Sequence, residues 1–573
     1  MITKVRIEYF KRFPEVTFEI AGNIVLAGPN NSGKTTLLQA ISVWNLCVQK
    51  WLIELSDASK EKRRTGFPVT RKDFSMIPLR EMNLLWFNRI TAYRFKDKSD
   101  RPRQPGQPKN ISITLWGIDP SNHKDWNLSV IINYQSKEHV YVKLTDAQGN
   151  PLTELPEAVK KLNIVCLHPF SGMVAEETGL NHGYQNMLVG QGKLGDILRN
   201  LILEVYQKDQ QEKSGIWKSL QQTINDLFGY RLLVPHYNVQ IEPFIKIEYQ
   251  DKKSKVKYDI ASAGSGAHQV LTLLSFFSAK SASVFLLDEP DAHLQTILQR
   301  QVYNRLRLEA QKHKCQLIIS THSRTIIEDT DPEHILSFYG TPHRLLIKTH
   351  TVQVQKALKR LSSFDILCAE KRMNIIYLED ESDFKILHEF ARIFDHPMKK
   401  IFMQPFFHPL HGRDTKEARA HFSALQAVHP TIHGVLLLDK ESVDLPVPGK
   451  PAIKLHILRW KRYEIENYLL HPDTLLRFVK EEKPEAFSLD KRKASEKYLK
   501  DNLPPTAYSD PLGNHDFFVS IAASKSLLPD FLKEANICLS KKEYFQIAAI
   551  MKREEIHPEV KEMLDNMAKA LQL

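Results

Sequence analysis

Residues 23–36, NIVLAGPNNSGKTT, join a buried-strand pattern directly to a phosphate-binding loop. Ile24, Val25, Leu26 and Ala27 form the short apolar run expected of a central strand, and Gly28 and Gly33 bracket the GxxxxGK[ST] pattern that follows. In such a loop the glycines let backbone N–H groups turn inward on the phosphates of a nucleotide. Lys34 reaches the β/γ oxygens and Thr35 can hold Mg²⁺, while Asn30, Asn31, Ser32 and Thr36 complete the cradle. Residues 36–43 (TLLQAISV) read as the helix whose positive N-terminal dipole finishes the anion site. A bare match of this length also occurs in ordinary Gly-rich turns, but the strand before it and the helix after it argue against that reading.

Downstream, residues 283–290 (SVFLLDEP) form an apolar strand ending in two acids. In this pattern Asp288 orients Mg²⁺ through water and Glu289 polarises the attacking water. Residues 317–323 (LIISTHS) are a second buried strand, delivering His322 where a side chain can sense a γ-phosphate. Between loop and acids, residues 261–269 (ASAGSGAHQ) open a helix with small residues whose exposed N–H groups suit a phosphate, and Asp291 and His293 follow the acids at once. Taken singly, an Asp-Glu pair can be a solvated turn and a lone histidine is more often structural.

The ordered set resembles the ATP-binding-cassette heads of the structural-maintenance, RecF and OLD (overcoming lysogenization defect) type. Residues 4–20 (KVRIEYFKRFPEVTFEI) are similar to the first two strands of such heads. The match runs through Gly28, Gly33, Lys34, Thr35, Asp288, Glu289 and His322, with Ser265 and Gly266 standing at the looser signature position. The resemblance implies ATP and Mg²⁺ as cofactors. Because the signature of one head closes over the nucleotide of another in that family, it also implies a homodimer or higher even oligomer. Residues 168–172 (HPFSG) lie near the place of the family's metal-sensing glutamine loop, which stays open.

Composition bounds the remainder. A chain of 573 residues with 42% hydrophobic and 25% charged residues has the make-up of a soluble globular protein of two to four domains. No window approaches the ~20 apolar residues of a membrane span. Lys4, Arg6 and Glu8 within the first strand fit neither a secretory signal nor a transit peptide. Cys47, Cys166, Cys315, Cys368 and Cys538 are scattered, without a CxxC pair, which fits reduced thiols and a cytoplasmic location. A net charge of +12 favours a polyanionic partner, most simply nucleic acid. Basic runs at 60–64 (KEKRR), 94–109 (RFKDKSDRPRQPGQPK) and 252–257 (KKSKVK) are candidate contacts, with solvated surface an equal alternative for each.

The second half starts a new α/β pattern. Residues 374–379 (NIIYLE) are a strand ending in Glu379, an amphipathic helix follows from Asp383, and residues 433–439 (HGVLLLD) are a strand ending in Asp439, with Lys440 and Glu441 next. Acids at the C-terminal tips of neighbouring parallel strands converge on one sheet edge, where ligands of open α/β sheets bind. Carboxylates gathered there suit Mg²⁺ or Mn²⁺. Acids capping helices after strands are the plainer alternative.

These residues resemble a Toprim domain, with Glu379 and Asp383 matching its first motif and Asp439 with Glu441 its second, as Asp-x-Glu. Asp380 stands where the family usually has Gly, and Glu441 where it has Asp. Residues 464–468 (EIENY) resemble a phrase of OLD-type nucleases in which a Glu bridges to a second metal: Glu466 is favoured and Glu464 is the alternative, either being able to pair with Arg459 or Arg462. Residues 539–544 (LSKKEY) are similar to the family's C-terminal lysine segment, which makes Lys541 a candidate to stabilise the cleaved phosphate.

The resemblance implies an α/β chain with an ABC-type head over 1–350, carrying helical and basic insertions at about 45–110 and 176–260. A connector at 351–372, a Toprim domain over 373–480 and a helical region over 481–573 complete it. It implies an ATP-hydrolysing endonuclease in which Glu379, Asp383, Asp439, Glu441 and Glu466 hold two ions about 4 Å apart, gated by the ATPase. Its expected partner is nucleic acid, DNA before RNA; no membrane is involved. The family's frequent role in defence against bacteriophage adds an antiviral function and an accessory defence protein as expectations. The competing class is a RecF-like DNA-binding ATPase or regulator with an inert Toprim module. Topoisomerase and primase are disfavoured, since neither a tyrosine-bearing cleavage domain nor zinc-binding cysteines are evident.

Overall fold

In the computed structural model the loop strand Ile24–Ala27 lies inside a six-stranded sheet, parallel to Ile335–Ser337 on one side and to Gln316–Thr321 on the other. Val284–Asp288 and Ile164–Leu167 extend the sheet in parallel, and His343–Arg344 closes the opposite edge antiparallel. All four residues of Ile24–Ala27 and all five of Val284–Asp288 are buried, as expected of strands covered on both faces. The structure describes residues 1–20, 22–57, 66–74, 77, 79–92, 108–152, 154–251, 256–345, 361–403, 406–410, 415–441, 455–482 and 489–573.

A second six-stranded sheet is wholly antiparallel, in the order Phe13–Glu19, Ile2–Phe10, Ile111–Ile118, Asp125–Tyr134, His139–Thr145, Phe67–Thr70. The 24-residue helix Lys34–Asp57 packs against strands of both sheets, so one apolar core holds Leu37, Ile41 and Trp44 together with residues of each sheet. Trp44 satisfies its buried indole N–H on the Leu128 carbonyl at 3.0 Å. This helix begins at Lys34, two residues before the sequence reading, and runs well beyond it. Residues 176–260, expected to be helical, hold the helices Leu198–Glu212 and Ile216–Phe228 but also short strands such as Glu242–Lys246 and Glu248–Asp251.

The chain divides into Met1–Ile347 and Lys348–Leu573. In the second unit a four-stranded parallel sheet runs Phe407–Pro409, Asn374–Leu378, His433–Leu438, Leu455–Arg459. Ile376, Leu378, Val435 and Leu437 face one core, shared with the helix Glu381–Ile393 and with the C-terminal helices through Pro558–Ala570. The helix expected from Asp383 starts earlier, at Glu381, because Asp380 caps it by accepting the Ser382 N–H at 3.3 Å. Most of the basic runs, at 60–64, 94–107 and 252–255, and the first part of the connector, 351–360, lie outside the described residues. Among the described residues, no helix is long and apolar enough to cross a membrane.

Candidate functional site

Two clusters carry the sequence-predicted residues, one in each unit. The first is a cavity of about 560 Å³ lined by Arg12, Asn30, Asn31, Ser32, Gly33, Lys34, Thr35, Thr36, Glu289 and His322. Packing explains why the loop needs its glycines. A Cβ on Gly28 would stand 2.7 Å from the Phe338 Cβ, and Gly33, at φ +112°, would drive one into the Phe13 ring. Phe13, Phe18 and Phe338 in turn pack on one another beneath the loop, with ring centroids 5.5 and 5.7 Å apart.

Parallel pairing of Ile24–Ala27, Gln316–Thr321 and Val284–Asp288 brings three strand ends to one edge, so residues distant in sequence meet there. Lys34 Nζ donates to the Gly28 and Pro29 carbonyls at 2.8 and 3.0 Å and lies 3.0 Å from His322 Nε2. A lysine beside that nitrogen requires it to accept, so the proton of a neutral imidazole sits on Nδ1. Burial, with Lys34 adding to it, lowers the His322 pKa from its ordinary value. Burial likewise brings the Lys34 ammonium down to about 8, against the opposing pull of Glu289 and Asp288. Thr35 donates to Asp288 Oδ1 at 3.3 Å and Ser320 donates to the same oxygen at 2.7 Å. Glu289 Oε1 stands 3.5 Å from His322. Its backbone takes φ +48°, the left-handed region, while its N–H donates to the Ser320 carbonyl at 2.9 Å.

Ser265 and Gly266 open the 15-residue helix Ser265–Ala279, and Gly264 and Ser265 are exposed. Neither residue of the signature lines the Lys34 cavity. Arg12, from the turn between the first two strands, does line it; its only sequence signal was its place beside that turn. The 168–172 segment places His168 in a separate cavity with Thr35, Gln39 and Gln191, and burial lowers the His168 pKa.

In the second unit, Glu379 and Asp439 each follow the last residue of adjacent parallel strands, and a hydrogen bond joins their carboxyls. Asp383, one turn along the helix, and Glu466, in the short 3₁₀ helix Ile465–Leu469, are both buried beside them. Their environment resists charge. Burial, then repulsion from Asp383 and Glu379, pushes Asp439 up to about 9, and burial raises Glu466 to about 7. Asp383 is raised well above the carboxylate range by burial and by Glu466. Lys541 is the counter-charge: its Nζ lies 3.2 Å from Glu466 and 3.6 Å from Asp380, and although burial disfavours its charge, these acids raise its pKa.

Glu464, the alternative to Glu466, instead accepts the Ser524 N–H at 2.6 Å. Arg462 donates to the carbonyls of Asn467, Pro511 and Gly513. Glu441 is exposed and accepts the Tyr463 hydroxyl at 2.9 Å. Asp380, a departure from the Toprim pattern by sequence, supplies both the helix cap and a contact to Lys541.

The protein-family profile described as "AAA domain, putative AbiEii toxin, Type IV TA system" matches residues 197–328. The OLD nuclease of Thermus scotoductus (strain ATCC 700910 / SA-01) is 20% identical over 339 residues, covering 56% of this chain and 59% of that curated relative. Two solved structures align with 59% of this chain and 94% of their own at 15% identity. An Smc head bound to the C-winged helix domain of ScpA does so with a TM-score of 0.37, and the SMC head domain from Thermotoga maritima with 0.31. In sequence the chain is thus similar to a curated OLD nuclease over about half its length, and residues 197–328 of its first unit match an AAA domain profile.

Proposed function

We propose that the chain is an ATP-dependent nuclease of the OLD type, in which the Lys34 cavity binds and hydrolyses ATP and the Asp439 cluster cleaves nucleic-acid phosphodiesters. The observation that carries the second half is the grouping of Glu379, Asp383, Asp439 and Glu466, with Lys541 beside Glu466. Asp383, Asp439 and Glu466 repel neighbouring carboxylates and are driven toward protonation, the state a hard divalent cation offsets. Glu466 Oε1 is buried and ion-paired with Lys541 at 3.2 Å, a donor that such a cation would share with the lysine. Mg²⁺ or Mn²⁺ held there supplies Lewis-acid polarisation of a phosphoryl oxygen and an activated water. Lys541 would neutralise charge on the cleaved phosphate, and Glu441, which accepts the Tyr463 hydroxyl, would be a further ligand.

In the first unit Thr35 and Asp288 would hold the nucleotide's Mg²⁺, Lys34 the phosphates, and Glu289 and neutral His322 the attacking water. Hydrolysis would gate cleavage, with exposed Ser265 and half-buried Gly266 of one head meeting the nucleotide of another. An antiviral role in a bacterial host is part of this reading, by kinship with the OLD family.

Incubating the protein with Mg²⁺ or Mn²⁺ and plasmid, linear DNA or RNA, with and without ATP, is expected to yield cleavage. Products absent under every combination would leave the reading of an ATPase regulator with an inert acidic cluster. Binding is expected to weaken with salt at ~0.9 in log affinity per log salt for each duplex phosphate neutralised. A salt-insensitive affinity would remove nucleic acid as the partner.

The acid cluster also sets a pH dependence. A carboxyl whose folded pKa is raised contributes stability that is complete below its unfolded value of about 4 and is lost as pH climbs through the folded value. With Glu466 at about 7 and Asp439 at about 9, the metal-free protein is expected to melt lower as pH rises across that window. Mg²⁺ should restore the melting temperature more at the alkaline end, each kcal/mol being roughly 2–4 °C. Calorimetry showing an Mg²⁺ effect that is flat with pH would count against cation binding at these acids.

A further inference from the structure

On the opposite face of the second unit's sheet lies a cluster that the nuclease chemistry does not use. Tyr377 alternates with Ile376 and Leu378, so it points away from the helix Glu381–Ile393 and toward the helix Thr415–Val428, where it is fully buried. There its hydroxyl shares a 2.8 Å hydrogen bond with His421 Nδ1. His408, in register with Tyr377 on the edge strand Phe407–Pro409, stacks on His421 with ring centroids 4.2 Å apart and 22° between planes. Asp365 comes from the first turn of the helix Ser363–Arg372, its Oδ2 held by the Ser362 N–H at 3.0 Å and hydroxyl at 2.7 Å. One ligand atom from each of Asp365, His408 and His421 lies within 4.8 Å of the others.

His421 is only 5% exposed, and its Nε2 has no hydrogen-bond partner. A buried polar atom left in that state costs about 1–3 kcal/mol. The nearest acid oxygen, Asp365 Oδ2, stands 3.6 Å away, too far for a hydrogen bond. Two donors around one ion at bond lengths of about 2.0–2.2 Å stand roughly 3–3.6 Å apart. Tyr377 occupies Nδ1 and thereby leaves Nε2 as the coordinating nitrogen, the part that an outer-shell partner plays in metal sites. Two imidazoles and one carboxylate select a borderline transition ion over Mg²⁺ or Ca²⁺, which take oxygen.

We propose that Asp365, His408 and His421 bind one divalent transition-metal ion, Zn²⁺ by their donor set. The ion would fasten a helix start, a three-residue edge strand and a second helix. It shares no ligand with the acidic cluster, and the inference stands whether or not that cluster cuts nucleic acid.

The test uses the full chain without a histidine tag, stripped with chelator, loaded with Zn²⁺ or Co²⁺ and desalted, with bound metal measured by mass spectrometry. One equivalent of Zn²⁺ per chain is expected to survive desalting in excess Mg²⁺, which competes for the acidic cluster, with visible d–d absorption for Co²⁺. His421→Gln and His408→Asn should each lower retention at least about tenfold, while His123→Gln, at an exposed turn of the other unit, retains it. Should a histidine variant fail to fold, the wild-type melting temperature is read with and without Zn²⁺, and a rise is expected. Wild type that retains no more metal than the His408 and His421 variants, or that melts unchanged with Zn²⁺, would overturn the site and leave a hydrogen-bonded Asp–His–Tyr group.

Discussion

Asp439→Asn and Glu379→Gln are each expected to lower metal-dependent cleavage about 10²–10⁴-fold while leaving ATP hydrolysis near wild type. Both substitutions keep the side chain's shape and remove the charge that a divalent cation needs; a Lewis-acid contribution of several kcal/mol, at 1.36 kcal/mol per decade, sets the range. Their carboxyls end adjacent parallel strands and share a hydrogen bond, so either loss is felt by the other. The residues proposed for ATP, Lys34, Asp288 and Glu289, belong to the other unit. Because each variant also relieves like-charge repulsion around Asp383, the metal-free protein should melt no lower than wild type, which separates loss of chemistry from loss of fold. Variants that cut as well as wild type in a contaminant-controlled preparation would end the assignment of cleavage to this cluster.

Lys34→Ala should reduce ATP hydrolysis about 10²–10³-fold, the usual effect of deleting one preorganised positive donor. Its ammonium is held by the Gly28 and Pro29 carbonyls and sits 3.0 Å from His322, so it is aimed before nucleotide arrives. Nucleotide binding, followed by calorimetry, should weaken as well. Ser265→Arg is expected to suppress hydrolysis and spare binding, because its helix start is exposed and apart from the Lys34 cavity of the same chain. Freshly mixed Lys34→Ala and Ser265→Arg chains should regain part of the activity. Absence of any recovery in confirmed mixed dimers would argue that each head hydrolyses ATP alone.

How far these sites can be read without coordinates depends on how local their causes are. The Gly28 to Thr35 loop is written in consecutive residues because backbone conformation and close approach, at Gly33 against Phe13 and at Gly28 against Phe338, restrict each position. Acids at strand ends are nearly as legible: once two strands are parallel neighbours, Glu379 and Asp439 must share an edge. The choice between Glu464 and Glu466 is not, since a 3₁₀ turn begins between them and the backbone of Ser524, far along the chain, decides which carboxyl is taken up. The place of Glu441 likewise depends on Tyr463. Asp365, His408 and His421 follow no spacing rule, because an edge-strand register and the packing of two helices bring them together.

Glu289 carries a tension between endurance and turnover. A side chain with a Cβ in the left-handed region is about 1–3 kcal/mol less comfortable there than Asn or Gly. Random libraries ranked by heat resistance would therefore collect replacements here as at the other left-handed residues, and if Glu289 polarises the attacking water as proposed, those chains would endure but no longer turn over ATP. Engineering a hardier form would have to hold residue 289 constant and look for its gains elsewhere, in the helix caps and loops that never meet a nucleotide.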